Sequence, residues 1–218
     1  ARTRHWLKEL ARGDQPFFLH ASFWKPHAPY EVAAPYDRLY DQVEFALPAP
    51  LSKADLALMP LPLQKLITRD ENPRGPPVLD AQRTPWAYRS YYGTITHVDH
   101  EIGLILETLE ATGQADNTVV IFTSDHGDQL FEHGISGKNC FYDSSVRVPF
   151  VVSWPRHVQP ARHPQLIMAV DLLPTLFDLV GLPIPGAFQG RSFATLLIGQ
   201  PYQARTEVFS ENIIPEVI

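Results

Sequence analysis

Proline sets the first limit on what this chain can build. Twenty-one of its 218 residues are proline, roughly twice ordinary usage. Pro48 and Pro50, Pro60 and Pro62, and Pro73, Pro76 and Pro77 all fall between residues 46 and 85. Each removes a backbone N–H and locks φ, so this stretch holds neither a long helix nor a central strand. It reads as an extended excursion with one short helix, near Lys53–Met59 or Leu63–Thr68.

The flanking segments are more regular. Phe17–Phe23 reads as a buried strand after a short amphipathic helix at about Arg4–Arg12. In residues 86–112, Ile95, Val98, Ile102, Ile105, Leu106 and Leu109 recur at spacings that mark one face of a helix, with Gly113 as its stop. Thr118–Thr123 and Val148–Trp154 are strand runs, the first rich in β-branched residues. Asp171 is placed to cap a helix through Val180 that Gly181 ends, and Glu207–Ser210 reads as a last strand. Short apolar strands separated by helices predict an α/β sheet covered on both faces.

Composition excludes several classes of function. Hydrophobic residues make up 44% and charged residues 19%, which rules out a disordered chain and a charge-laced coiled coil. A net charge of −6 argues against nonspecific binding to nucleic acid or an anionic membrane. No apolar run reaches the length of a membrane span. A single cysteine, Cys140, excludes an internal disulfide framework and leaves the compartment open. Both ends look cut: the chain starts at Ala1-Arg2 without Met and stops at Val217-Ile218, straight after a strand-like run.

The sharpest chemical feature is Phe122-Thr123-Ser124-Asp125-His126-Gly127-Asp128. A strand ends and two metal-competent side chains follow at once. In open α/β sheets, ligand sites lie beyond the carboxyl ends of strands, and Gly127 allows a sharp turn there. Asp125 and His126 together suit a borderline divalent ion. The competing reading is a turn that merely caps the strand. Next, Gly134-Ile135-Ser136-Gly137-Lys138 sets a lysine in a glycine-bounded loop. Beside a metal its ammonium could hold a tetrahedral oxyanion; otherwise it is a solvated surface lysine. Third, Trp24-Lys25-Pro26-His27-Ala28-Pro29-Tyr30 fixes His27 between two prolines, as a general acid or anion contact, or as an incidental histidine in a stiff connector. His97 and His100, at i and i+3 on a helix, read as a solvated face more than as half a metal site. His133 reads as an exposed loop residue and Cys140 as a small buried one.

Together these motifs resemble the sulfatase family of the alkaline phosphatase superfamily. The residues that carry the resemblance are Tyr91–Asp99, Asn117–Gly127, Gly137-Lys138, Arg147–Phe150, Asp171–Leu176 and Gly190–Phe193, in an order that spans most of residues 15–212. Phe17–Tyr40 is similar to the branch that holds phosphonate monoester hydrolases and promiscuous arylsulfatases. The resemblance implies an α/β/α sandwich with a mixed, largely parallel sheet, alkaline phosphatase-like and incomplete at its N-terminus. It implies that residues 1–218 are part of one catalytic domain, with a C-terminal subdomain starting after about residue 190. Asp125 and His126 match metal ligands. Lys138 matches a sulfate-contacting lysine, and His27 a histidine on the leaving-group side. Lys25 is carried with them as a substrate contact. The implied cofactors are one divalent cation, with calcium first and manganese or zinc as alternatives, and a formylglycine nucleophile.

That nucleophile derives from a cysteine in a Cys-x-Pro-Ser-Arg-like segment, whereas Cys140 is followed by Phe141-Tyr142-Asp143. The implied reading is therefore the middle and C-terminal part of a metal-dependent sulfate monoester hydrolase, inactive as a fragment. Its substrate would be a small sulfate or phosphonate ester, with no nucleic acid, no membrane span and room for a homo-oligomer. The alternatives are a phosphonate monoester or phosphodiester hydrolase on the same scaffold, and a non-catalytic truncated module.

Overall fold

The computed structural model describes residues 2–49, 51–68 and 83–211. The chain divides into two compact units. One is built from residues up to Ala115 and from His126–Val148; the other takes Asp116–Asp125 and the stretch from Pro149 on.

The first unit is helical. α1 (Arg2–Leu10) buries Leu7 and packs on α4 (Arg83–Ala111), where Arg4 Nε donates to Thr108 Oγ1 at 3.1 Å. The apolar spacing of residues 86–112 does form one long helix, and it ends where the glycine is. Gly113 takes φ +72°, its N–H reaches Glu110 O, and the N–H of Gln114 reaches Leu109 O, which together satisfy two otherwise orphaned carbonyls. Tyr36–Arg38 form a 3₁₀ turn against α4. The core of this unit is aromatic: Tyr30, Ala87, Tyr88, Leu130 and Phe131 are buried together, with Ala28, Phe45 and Tyr91 packed around them.

The proline-rich excursion holds two short helices rather than the one expected, α2 (Lys53–Leu58) and α3 (Leu61–Thr68). α2 forms because Ser52 and Asp55 cap it reciprocally: Ser52 Oγ accepts from the Asp55 N–H, and Asp55 Oδ2 accepts from the Ser52 N–H. Residues 69–82 of the excursion lie outside the described residues.

The second unit holds the sheet. β1 (Val120–Thr123) pairs with β2 (Phe150–Ser153) in antiparallel register, with Val120 opposite Ser153 and Thr123 opposite Phe150. Both expected strands form, each shorter than its apolar run. The sheet of the described residues is thus two-stranded and antiparallel, not mixed and largely parallel. Phe122 and Val151 face each other across the register and are both exposed, so neither strand is covered on both faces. α5 (Asp143–Val146) belongs to the first unit, while α6 (Leu172–Leu179) and α7 (Ala194–Leu197) pack together in the second, where Phe193 is buried edge-on to Phe150. Gly181 ends α6 just as Gly113 ends α4, with φ +72° and the N–H of Leu182 on Phe177 O.

Three expectations fail for physical reasons. Phe17–Phe23 forms no strand, because a ladder needs a partner and none of the described residues offers one; Phe18 is 75% exposed. Glu207–Ser210 is not a strand either; the nearby pairing is an isolated bridge between Leu166 and Arg205. Asp171 sits at the N-cap position of α6 without capping it. Its carboxylate instead accepts from the Met168 and Arg191 N–H groups and binds Arg205 through Nε at 3.0 Å and Nη2 at 2.6 Å. No helix among the described residues is long and apolar enough to cross a membrane.

Candidate active site

Two loops of the helical unit carry most of the singled-out residues. The first is Trp24–Tyr30. The N–H of His27 reaches Trp24 O, which closes a turn, and the Trp24 ring lies tilted against the imidazole at 4.7 Å between centroids. Nδ1 of His27 is 2.6 Å from Ala28 O. A carbonyl can only accept, so Nδ1 carries the hydrogen and Nε2 the lone pair. Lys25 folds across its own loop and donates from Nζ to Pro29 O.

The second loop runs from His126 to Lys138. It begins with a close approach: the N–H of Gly127 reaches Ser145 O at 2.8 Å, and a Cβ added at Gly127 would lie 2.0 Å from Ser144 O. Glycine is required here for space rather than for the sharp turn expected of it. Asp128 then gathers the loop. Its Oδ1 accepts from the Leu130 N–H at 2.8 Å and the Gly137 N–H at 3.2 Å. Tyr30 Oη lies 3.0 Å from both carboxylate oxygens and shares its hydrogen between them. The N–H of Gln129 reaches Gly137 O. Lys138 is gripped on its far side as well, where its carbonyl accepts from Ser145 Oγ at 2.7 Å and from the Cys140 N–H.

These two loops meet. Lys138 Nζ lies 3.2 Å from His27 Nε2, across 111 residues of sequence. The ammonium donates and the imidazole accepts, which matches the tautomer that Ala28 O fixes. Both side chains are half-buried. Lys25 is not part of this contact.

Asp125 and His126 are consecutive, and the boundary between the two units falls between them. Asp125 stands two residues past the end of β1, exposed. His126 is half-buried, and its Nδ1 donates to Gly127 O at 2.8 Å. That bond fixes the ring and assigns the hydrogen to Nδ1. Among the described residues no group of three or more His, Cys, Asp or Glu side chains is gathered to hold a metal ion.

Other residues have structural partners. His97 stacks on Tyr36 and His100 hydrogen-bonds its hydroxyl, so this pair holds the 3₁₀ turn on α4. His133 stacks on Tyr142 at 3.9 Å. Together with Glu132 and Asp55 it lines a cavity of ≈ 440 Å³ whose walls include neither His27 nor Lys138. Cys140 is buried, and burial pushes its thiol up. Burial, and then the Asp128 charge, also raises the two tyrosines near that carboxylate: Tyr30 stays a phenol, and Tyr91 is pushed up to about 12.

Sequence reasoning did not find Tyr30, Asp128 or Ser145. Asp128 had a local signal, since an Asp that accepts from the N–H two residues on is a common turn former. Tyr30 had none, because its partner is 98 residues away.

With the geometry in hand, comparison with known proteins is informative. Residues 2–182 match the family model described as Sulfatase. The multifunctional alkaline phosphatase superfamily protein PehA of Trinickia caryophylli is 33% identical over 96% of this chain and 43% of its own length. An arylsulfatase of Clostridium perfringens is 33% identical over 86% of this chain and 39% of its own. The solved phosphonate monoester hydrolase SpPMH from Silicibacter pomeroyi superposes with a TM-score of 0.78 at 31% identity, covering 92% of this chain and 41% of that one. The chain thus spans less than half the length of each. The family match covers the helical unit's two loops, both strands and α6, and on that ground the chain belongs to the sulfatase family of the alkaline phosphatase superfamily.

Proposed function

We propose that this chain carries the cation- and oxyanion-binding side of a sulfuric ester hydrolase. The observation that supports this best is the contact of Lys138 with His27. An ammonium and an imidazole at 3.2 Å can address one tetrahedral group together, the first on its charged oxygens and the second on the oxygen that departs. With Nδ1 committed to Ala28 O, Nε2 is the nitrogen that serves the leaving oxygen. At rest it accepts from the Lys138 ammonium, and a proton passed to it along that bond, with water restoring the ammonium, is the one it gives to the departing oxygen. Lys138 neutralises oxyanion charge that grows as the ester bond breaks. Lys25 reaches substrate only by giving up its bond to Pro29 O, and it enters as a second cationic contact on the approach.

Asp125 and His126 fit a divalent cation as two of its ligands, one carboxylate oxygen and one Nε2 oriented by Gly127 O. This donor pair suits calcium through the carboxylate and manganese or zinc through the imidazole. When bound, such a cation polarises the transferring group and lowers the pKa of a nucleophile. The nucleophile, a formylglycine, is assigned to sequence outside these 218 residues, since Cys140 is followed by Phe141-Tyr142-Asp143 and not by the Pro-Ser-Arg-like run that the resemblance implies. In the complete catalytic domain β1 and β2 are two members of a larger mixed sheet in an α/β/α sandwich, with a C-terminal subdomain after about residue 190.

A second reading, hydrolysis of phosphonate monoesters, is favoured by the match to SpPMH. Phosphoryl and sulfuryl groups are both tetrahedral, so the same residues serve either. Turnover of an aryl sulfate and an aryl phosphonate by the complete protein tests both. Lys138→Ala should lower kcat on the preferred ester about 100-fold or more, with the thermal midpoint nearly unchanged because a half-exposed lysine contributes little to folding. Unaltered kcat in that variant would sink the assignment. The isolated 218-residue chain, with calcium or manganese added, should show no multiple turnover.

A further inference from the structure

The contact of His27 with Lys138 joins two loops that nothing covalent holds in register. Lys138 follows Gly137 directly, and His27 precedes Tyr30 by three residues within a loop pinned by Pro26 and Pro29. One carboxylate touches both sides. Asp128 accepts from the Gly137 N–H next to the lysine and from the hydroxyl of Tyr30 on the histidine side. Tyr30 is itself immobilised, with only 8% of its surface exposed and its ring packed among Ala87, Tyr88, Leu130 and Phe131.

We propose that Asp128 and Tyr30 are the positioning residues of this site: their hydrogen bond ties the His27 loop to the Lys138 loop and sets the distance between imidazole and ammonium. The inference rests on the role proposed above for His27 and Lys138. Asp128 suits the task because an ionised carboxylate is acceptor-only and has room for several donors at once. It already takes three: the Leu130 and Gly137 N–H groups within its own loop, and the one hydroxyl that crosses to the other. Loss of the crossing bond leaves each loop with its internal bonds. What it removes is the hydrogen bond that crosses between them, leaving the packing of the Tyr30 ring on Leu130 and Phe131 as the looser tie. Reactions of this kind lose rate steeply when an acting group is displaced by about 1 Å.

Tyr30→Phe isolates this effect, since it deletes the hydroxyl and keeps the buried ring. In the complete protein, kcat and KM are measured with phenyl sulfate and 4-nitrophenyl sulfate, or with the matching phosphonates if those are preferred. A group that protonates the departing oxygen matters most for the poorer leaving group. His27→Ala should therefore lose more on the phenyl ester than on the nitrophenyl ester. Tyr30→Phe should follow it with a smaller loss, about tenfold in kcat on the phenyl ester and two- to threefold on the other, with little change in KM. Partial unfolding would lower both esters in equal proportion. In the His27→Ala background, Tyr30→Phe should add almost nothing, because the two act through one contact.

Asp128→Asn keeps an acceptor for both N–H groups and a donor for the tyrosine oxygen, so it should retain most of the kcat that Asp128→Ala loses. Should Asp128→Ala fail to fold, Tyr30→Phe and Asp128→Asn still decide. Equal losses on both esters, full additivity with His27→Ala, or wild-type rates in Tyr30→Phe would overturn the positioning role while leaving His27 in place. If His27→Ala itself shows no dependence on the leaving group, the proposed role of His27 fails first, and this inference falls with it.

Discussion

Asp128 and Asp171 make the same kind of knot in different surroundings. Each carboxylate accepts from two backbone N–H groups and from one side chain distant in sequence. Asp171 has 0% exposure and faces the guanidinium of Arg205, itself 12% exposed. Asp128 is half-buried and faces a neutral phenol. The buried aspartate needs an opposite charge because desolvation would otherwise expel its proton-free form from the interior. The half-buried one keeps water on part of its surface, so a phenol suffices. Asp171 ties together the segments before α6 and before α7 and touches none of the candidate site residues. Asp128 ties together the loops that bear two of them. One bonding pattern thus serves stability in one unit and placement in the other.

The largest effect is expected from breaking the buried knot. Arg205→Ala strands an ionised Asp171 with no counter-charge, which should cost about 3–5 kcal/mol by chemical denaturation. The pH dependence has a definite sign. Burial pushes the Asp171 carboxyl up, but the hydrogen bonds from Arg205, Arg191 and Met168 and the Arg205 charge outweigh it and hold the carboxyl below its ordinary value. The stability that Asp171 contributes is therefore complete at neutral pH and lost as pH falls through that lowered value. In the variant the carboxyl has lost the Arg205 bonds and charge that held it down, so it takes up its proton at a higher pH than in the parent. The penalty should therefore shrink as pH falls from the variant's value to the parent's. A loss that stays constant from pH 7 to pH 3 would show that Arg205 acts by packing alone. Activity per folded molecule of the complete protein should be unaffected, since no candidate site residue contacts this pair.

Gly127→Ala probes the other side of the comparison. The added methyl would lie 2.0 Å from Ser144 O and 3.0 Å from the Ser144 carbonyl carbon, both backbone atoms that cannot swing away. Overpacking of this kind costs about 1–3 kcal/mol. It should also displace His126 and the entry to the Asp128 loop, so divalent-ion affinity should fall together with stability. Isothermal titration with calcium or manganese on variant and parent checks this. Unchanged affinity would place His126 outside the cation site.

The same contrast explains what could be read from the residues alone. α4, α6 and both strands were legible because their signals are local: apolar spacing, β-branched runs, and a glycine where each helix ends. Asp125 and His126 stood out because they follow a strand directly. The Phe17–Phe23 strand was misread because apolar composition says nothing about whether a partner strand is present. Asp171 was misread because its cap geometry is local while Arg205, 34 residues on, binds its oxygens instead. His27 and Lys138 were singled out from their proline- and glycine-bounded loops, and the family resemblance gave them their roles; neither local pattern by itself carried a sign that the two side chains meet. Tyr30 escaped for the same reason, since a buried tyrosine looks like core until its hydroxyl partner is known.

The smallest effect, and the sharpest discriminator, is expected at Gln129. Its side chain is 1% exposed, yet neither Nε2 nor Oε1 has a hydrogen-bond partner among the described residues. A buried amide without partners forfeits its hydration and receives nothing in return, at a cost of about 1–3 kcal/mol. Beside Asp171, by contrast, the buried hydroxyl of Thr175 both donates to Asp171 O and accepts from the Phe193 N–H. In the Asp128 loop the chain keeps an unfavourable group next to the carboxylate that gathers it. Gln129→Met retains length and volume and removes both orphaned polar atoms, so it should stabilise the chain by about 1 kcal/mol, measured as a rise in the denaturation midpoint at constant slope. The backbone bonds of residue 129 to Gly137 and Glu132 survive the change, so the spacing of His27 and Lys138 should survive as well. Destabilisation by Gln129→Met would mean that the amide is satisfied by a group beyond the described residues, and that this loop is as fully bonded as its counterpart.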